Sequence, residues 1–322
     1  MLATHSMTAS PPIDLAASEP RQDMQQGFDE RNRDLIVNVG GTLSHRDDAR
    51  VSPFDASVQG GDAVWEGLRL YDGRIFKLHE HLTRLRHSAL ALAFAQIPST
   101  DDIIAELQRT LAANSMRDGV HIRLTLTRGE KITSGMDPRL NTSGPTLIVL
   151  AEFKEPVYDR GGLTLVSSSV RRFPPDCLDP KIHSANLIQS ILAKIEANAA
   201  GADDALMLDL RGFVAETNAT HLFMVGDGVV STSRLVACPE GITRSTVLEL
   251  CQAHEIPSCE RDITQAELYR ADEVFCTGTM GELAAVTTID GRTIGNGAPG
   301  ATTRRLSELY GERTATEGVV VV

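Results

Sequence analysis

Two periods run through the pattern of apolar and polar positions. Leu35-Ile-Val-Asn-Val39 is a β-type run, and Gly40-Gly41 is a hairpin signal before Thr42. A second hairpin reads Leu68–Tyr71, Asp72-Gly73, Arg74–Leu78. Leu82, Leu85, Ala89 and Leu92 recur at three- and four-residue steps, which predicts a helix over 79–95. Ser99 with Asp102 resembles a capping box and opens another helix, 101–113. Val120, Ile122, Leu124 and Leu126 then alternate with His121, Arg123, Thr125 and Thr127, the period of a strand with one apolar and one polar face. The run 145–153 is a nearly all-apolar strand.

The segment 154–162 reads as an interdomain linker. Beyond it the pattern predicts strands at 163–169, 204–209, 213–217, 220–226 and 273–276. Helices are expected at 186–199, 243–254 and about 300–310, with a hairpin at Asp290-Gly291. Many hairpins with interspersed helices point to two α+β domains, 34–153 and 163–311, and not to one doubly wound parallel sheet. Residues 1–33 read as a mobile tail and 312–322 as a second tail, frayed over Gly318–Val322.

Composition narrows the class. The 322 residues suit two domains, and 42% hydrophobic content supplies real cores. Net charge is −12, which disfavours nucleic acid and anionic membranes as partners. No apolar run reaches the length of a membrane helix. Five cysteines, odd in number and without paired metal spacing, fit a reducing cytoplasm and no metal centre. A soluble cytoplasmic enzyme is the expectation.

Four local features carry candidate chemistry. Lys181 stands between Pro180 and a helix start, where a desolvated amine can form a Schiff base; a solvated turn lysine is the ordinary alternative. Glu216 interrupts a β pattern of apolar and small residues, as an edge acid or one paired with a cation. Gly241-Ile242-Thr243 opens a helix whose free amides suit a phosphate, although plain capping explains the same residues. Thr277-Gly278-Thr279-Met280-Gly281 follows a strand and lets the backbone approach a ligand, or is a simple tight turn. A lysine, an acid about 35 positions on and two Gly/Thr turns together make the set that pyridoxal phosphate requires.

At this point the chain resembles the class IV aminotransferases, the fold-type IV pyridoxal 5'-phosphate enzymes. These include branched-chain and D-amino-acid aminotransferases and aminodeoxychorismate lyase. The resemblance runs from about Val37 to Tyr310. It rests on Gly61-Asp-Ala-Val-Trp-Glu-Gly-Leu-Arg69, Glu80-His-Leu-Thr-Arg84, Gly212-Phe-Val-Ala-Glu216-Thr-Asn, Gly241-Ile-Thr-Arg244 and Ala271-Asp-Glu-Val-Phe-Cys-Thr-Gly-Thr279. It implies a smaller N-terminal α/β domain, a larger C-terminal β-barrel-like α/β domain and a homodimer.

Carried over residue by residue, Glu216 would meet the pyridinium nitrogen and Arg84 the phosphate. Gly241, Ile242, Thr243, Gly278 and Thr279 would complete the cup. Arg123 matches a substrate-facing arginine of the branched-chain enzymes, and Arg128 the carboxylate-binding arginine of the D-amino-acid enzymes. On the strand pattern Arg123 shares its face with His121 and is favoured for the pocket; pairing with surface acids is the rival for both arginines. Gly60, Trp65, His121 and Met280 would complete the substrate side.

Two departures stand out. The family's lysine falls at His183 in the D-amino-acid register and at Ile182 in the branched-chain register, so a small bulge is expected to bring Lys181 in. Gly60 stands where branched-chain enzymes usually carry tyrosine. The resemblance implies amino transfer from a branched-chain or other hydrophobic L-amino acid to a 2-oxo acid such as 2-oxoglutarate. D-amino-acid transfer, aminodeoxychorismate cleavage and a non-catalytic homologue that binds amino or keto acids are the alternatives.

Overall fold

The computed structural model describes residues 26–158 and 161–322. The N-terminal half builds β1 (Ile36–Val39), β2 (Thr42–His45), α1 (Ala56–Gly60), β3 (Ala63–Tyr71), β4 (Arg74–Ile75), α2 (Leu78–Ala91), α3 (Thr100–Ala113), β5 (Val120–Thr127) and β6 (Thr146–Phe153). After these come β7 (Leu163–Ser167), α4 (Pro175–Leu178), α5 (Ile188–Ala199), β8 (Asp204–Leu208), β9 (Val214–Thr217), β10 (His221–Gly226) and β11 (Val229–Thr232). The chain ends with α6 (Ile242–Ala253), β12 (Ser258–Glu260), α7 (Gln265–Tyr269), β13 (Glu273–Gly278), β14 (Glu282–Ile289), β15 (Arg292–Thr293), α8 (Ala301–Thr316) and β16 (Val319–Val320).

The first sheet has the order β16-β4-β3-β5-β6-β1-β2. Its centre is the long antiparallel ladder of β3 and β5, which sets Trp65 opposite Thr125 and Gly67 opposite Arg123. The alternation of β5 buries Val120, Ile122, Leu124 and Leu126 completely against α2 and α3, as its period of two requires. His121 and Arg123 therefore leave the opposite face, toward the second domain. The capping box of Ser99 and Asp102 forms as expected and starts α3 at Thr100.

The second sheet runs β12-β11-β10-β13-β14-β7-β8-β9, with β15 beside β14. A tight turn, in which the Thr217 amide donates to the Thr220 carbonyl, joins β9 to β10 and brings the end of the strand path back beside β10. The expected barrel-like domain is this sheet, with α5 packed on β8 and α6 and α8 on the face behind β13.

Three boundaries differ from the sequence expectation. Of the expected tail 1–33, residues 1–25 lie outside the described residues, while Asn32 is buried and exchanges two hydrogen bonds of 2.8 Å with the Phe153 backbone. The end of the chain is not frayed: α8 continues to Thr316, β16 pairs antiparallel with β4, and Val321 is buried in the first core. A run of valines completes an otherwise open sheet edge, so burial outweighs terminal entropy. The linker contributes to the cleft, where Val157 donates its amide to the Met280 carbonyl. No described helix is long and apolar enough to cross a membrane.

Candidate active site

A cavity of about 400 Å³ lies between the domains. One wall is an anion cup. α6 begins at Gly241 without a side-chain cap, so its first-turn amides have no intrahelical acceptor and face the positive end of the helix dipole. Gly241 is required by space: a Cβ there would lie 2.2 Å from the His221 ring. Ile242, Thr243, Gly278 and Thr279 line the same wall. Beside them Thr277 Oγ1 is buried without a hydrogen bond among the described residues, an orphan in a cavity lined by donors.

Arg84 reaches the cup from α2. Its Nε and Nη2 clamp both Glu66 oxygens at 2.8 and 2.7 Å, and Nη1 donates to the Glu240 carbonyl at 2.7 Å. Glu66 is fully buried, and burial alone would raise its pKa. The Arg84 charge, with hydrogen bonds from Arg84, His183 and His81, outweighs that effect and holds the carboxyl well below the usual range. Arg84 is an expected site residue and Glu66 is not, although an acid in the strand run Val64-Trp-Glu-Gly-Leu68 is the available signal.

Trp65 is the other landmark. The Arg123 guanidinium carbon sits 3.5 Å from the centre of its ring, and the His183 ring stacks on it at 4.4 Å. Arg123 lines the cavity, and burial pushes its pKa down to about 10. His121 is its neighbour on the strand; burial, then the Lys154 charge, lower its pKa to about 3, so the ring is neutral. Met280 and Trp65 add apolar wall.

Three expected residues fall elsewhere. Arg128 is held by Asp62 at 2.6 Å and the Leu92 carbonyl at 2.8 Å and lies over the Phe94 ring, so its donors are committed and it does not line the cleft. Gly60 ends α1, exposed, with open space around it and no place on the cavity wall. Lys181 is the third. Its side chain is exposed, its amide donates to Asp179 Oδ1 at 3.0 Å, and it lines neither this cavity nor the adjoining one.

The expected bulge does not form because the segment is strapped to β3. The Trp65 amide donates to the His183 carbonyl at 3.1 Å, the Ala185 amide to the Ala63 carbonyl at 2.8 Å, and the Trp65 indole to the Ser184 carbonyl at 3.1 Å. The His183 amide donates to Ser88 Oγ at 3.0 Å, and Ile182 packs on the first core. Sliding Lys181 two places inward would break all four bonds, each worth about 1 kcal/mol, and pull Ile182 from its packing.

His183 therefore occupies the socket. Its Nδ1 lies 2.6 Å from the Trp65 carbonyl and 3.5 Å from Glu66 Oε1, two acceptors, so Nδ1 carries the proton. Burial, then the Arg84 charge, lower the pKa of this imidazole below its ordinary value. At neutral pH the ring is uncharged and Nε2 holds the free lone pair. His183 is the family position in the D-amino-acid register, and the strap that fixes it there leaves no local pattern.

Glu216 lies on the wall of an adjoining cavity of about 120 Å³, which shares Trp65, His183, Asn218 and Ala219 with the larger one. Burial raises its pKa to about 7 against the opposing charges of Arg172 and Arg84. Arg172 Nε is 3.0 Å from Glu216 Oε1 but makes no hydrogen bond there, whereas Nη2 donates to the Thr217 carbonyl at 2.8 Å. Thr277 belongs to the Gly/Thr turn marked in the sequence, whereas nothing in the local sequence marks Arg172 or His221.

The fold and these walls are those of a known class. The family model for class IV aminotransferases matches residues 63–289, and the chain belongs to that family. It is 53% identical over 90% of its length to branched-chain-amino-acid aminotransferase-like protein 2 of Arabidopsis thaliana, of which it covers 52%. The chain thus spans about half the length of that relative. It is 39% identical to a putative branched-chain-amino-acid aminotransferase of Methanocaldococcus jannaschii, over 89% of this chain and 99% of that one. Among solved structures, a T.th. branched-chain amino acid aminotransferase with pyridoxamine 5'-phosphate superposes with a TM-score of 0.82 at 33% identity, covering 88% and 94% of the two chains. The expected fold-type IV architecture is borne out, and class IV aminotransferases are pyridoxal-phosphate transaminases.

The residues fit that cofactor in part. The cup, the orphaned Thr277 hydroxyl and Arg84 suit a phosphate ester, and Glu216 suits a protonated ring nitrogen. A covalent anchor does not fit, since an imidazole and not an amine stands in the socket.

Proposed function

We propose that this chain moves an amino group between a hydrophobic L-amino acid, of the branched-chain type, and a 2-oxo acid such as 2-oxoglutarate. Arg123 is the observation that carries this reading. It is a largely buried guanidinium on the cavity wall, held by an aromatic face and hydrogen-bonded to no carboxylate among the described residues, and it suits the carboxylate common to amino and 2-oxo acids. Trp65, Met280, Val157 and Tyr158 offer apolar surface for the side chain.

Arg84 and the α6 amides bind the cofactor phosphate, and pyridoxal phosphate supplies an electron sink when bound. The absence of Arg128 from the cavity wall weighs against the D-amino-acid alternative. A second reading, binding of amino or keto acids without turnover, is favoured by His183 in the socket.

A panel of amino donors assayed with 2-oxoglutarate and added pyridoxal phosphate separates these. Leucine, isoleucine and valine are expected to yield glutamate ahead of aspartate and lysine. No glutamate from any donor, with cofactor still retained, would support the binding reading.

We also infer a homodimer. Ile188, Ile191 and Ile195 form an i, i+3, i+7 stripe on α5 and are 57, 52 and 57% exposed. Light scattering after gel filtration should give twice the chain mass, and Ile191→Asp should shift it toward the monomer.

A further inference from the structure

We propose that this chain holds its vitamin B6 phosphate by non-covalent contacts alone, with the imidazole of His183 standing where an amine would be required for a covalent link. The inference rests on the reading that the cleft takes such a cofactor, and deepens it.

A covalent link to the cofactor aldehyde needs a primary amine within reach. The chain has five lysines, and all lie among the described residues. Lys77 sits between Glu80 and Glu249, and the Lys131 amine donates to the Gly135 carbonyl. Lys154 and Lys181 line neither cavity. Lys194 alone lines the cleft. Its ammonium is held by Asp204 Oδ1 at 3.1 Å and by the Asp203 carbonyl, and Asp204 is itself fixed by Tyr158 at 2.5 Å and Asn218 at 3.1 Å. An ammonium in an ion pair with a fixed carboxylate is not a free nucleophile. His183 is locked instead by Trp65, Ser88 and Glu66, so the socket is filled and not merely empty of lysine.

Everything else needed to retain the ligand is present. The cup presents Arg84, the first-turn amides of α6 and the Thr277 hydroxyl, and these recognise the phosphate whether the other end is an aldehyde or an amine. The holding power therefore resides in the phosphate, and the aldehyde adds little to it.

The test uses the full chain. Equilibrium dialysis should show pyridoxal phosphate and pyridoxamine phosphate binding with affinities within about threefold, because neither gains a covalent bond. Borohydride treatment of the loaded wild-type protein, with peptide mapping by mass spectrometry, should leave every lysine unmodified, and desalting should strip the cofactor. His183→Lys restores an amine to the socket; it should be labelled by borohydride at position 183 and retain a yellow chromophore through desalting. A borohydride-fixed label on Lys194 or Lys181 of the wild type would overturn the proposal, as would a pyridoxal phosphate affinity exceeding that of pyridoxamine phosphate by about 100-fold. Failure of both compounds to bind would instead sink the cofactor reading on which the proposal rests. The two-compound comparison requires no variant, so it stands if His183→Lys misfolds.

Discussion

The anion cup and the strap 182–185 are neighbours in the cleft, yet they were decided by different physics. The cup is local. A glycine before a helix start and a Gly/Thr turn after a strand leave backbone amides free wherever they occur, and only space around Gly241 had to be added. The strap is tertiary. Whether residue 181 or residue 183 enters the socket depends on which carbonyl the Trp65 amide finds, more than 100 positions away in the chain. Local chemistry thus kept a cup that suits a phosphate, and cross-chain register put an imidazole beside it.

Arg84→Ala strikes the cup hardest. It removes the proposed phosphate ligand and leaves Glu66 buried with its main counter-charge gone, so we expect a loss of about 3–5 kcal/mol in stability by urea denaturation. Cofactor affinity should fall by about 100-fold in the same protein. A mild effect on both would mean that the cup is not built around Arg84.

Glu216 sharpens the contrast through pH. Its folded pKa, about 7, lies above its unfolded value near 4.5. The folded chain therefore binds the extra proton between those two values, and this contribution to stability is lost as pH rises through that window. The loss is about 3 kcal/mol at 1.36 kcal/mol per unit. Glu216→Gln should flatten the fall in urea midpoint between pH 4.5 and 7; an unchanged slope would assign it to other groups.

Arg123→Met addresses the substrate side. KM for the amino acid should rise by about 10- to 100-fold while cofactor affinity holds, since Arg123 is not in the cup. Stability should be held or raised, because a buried guanidinium without a carboxylate is removed. Equal losses for substrate and cofactor would contradict this division. Lys181→Ala lies at the small end: less than about 0.5 kcal/mol in stability and no change in cofactor retention.

Much of this architecture was legible in the sequence. The period of two over Val120–Thr127 put Arg123 and His121 on one face, and the 3.6 period of α2 left Arg84 off its buried stripe. The Ser99 box marked a helix start to within a residue. What was not legible depends on distant partners. The terminal valines read as frayed because the open edge of β4 that accepts them lies more than 240 residues upstream. The strand pattern favours Arg123 over Arg128 for the pocket, but the partner that holds Arg128, Asp62, is 66 positions away and leaves no local mark. The lysine expectation failed for the same reason, since adjacent composition favoured Lys181 and only the pairing of residues 183–185 with β3 excludes it.

A crystal structure of the chain grown with pyridoxal phosphate tests the central claim most directly. We expect the phosphate in the cup at Gly241–Thr243, His183 stacked on Trp65, and a break in density between the cofactor and every lysine. Continuous density from the cofactor to the Lys181 amine, with the strap slipped by two residues, would contradict it.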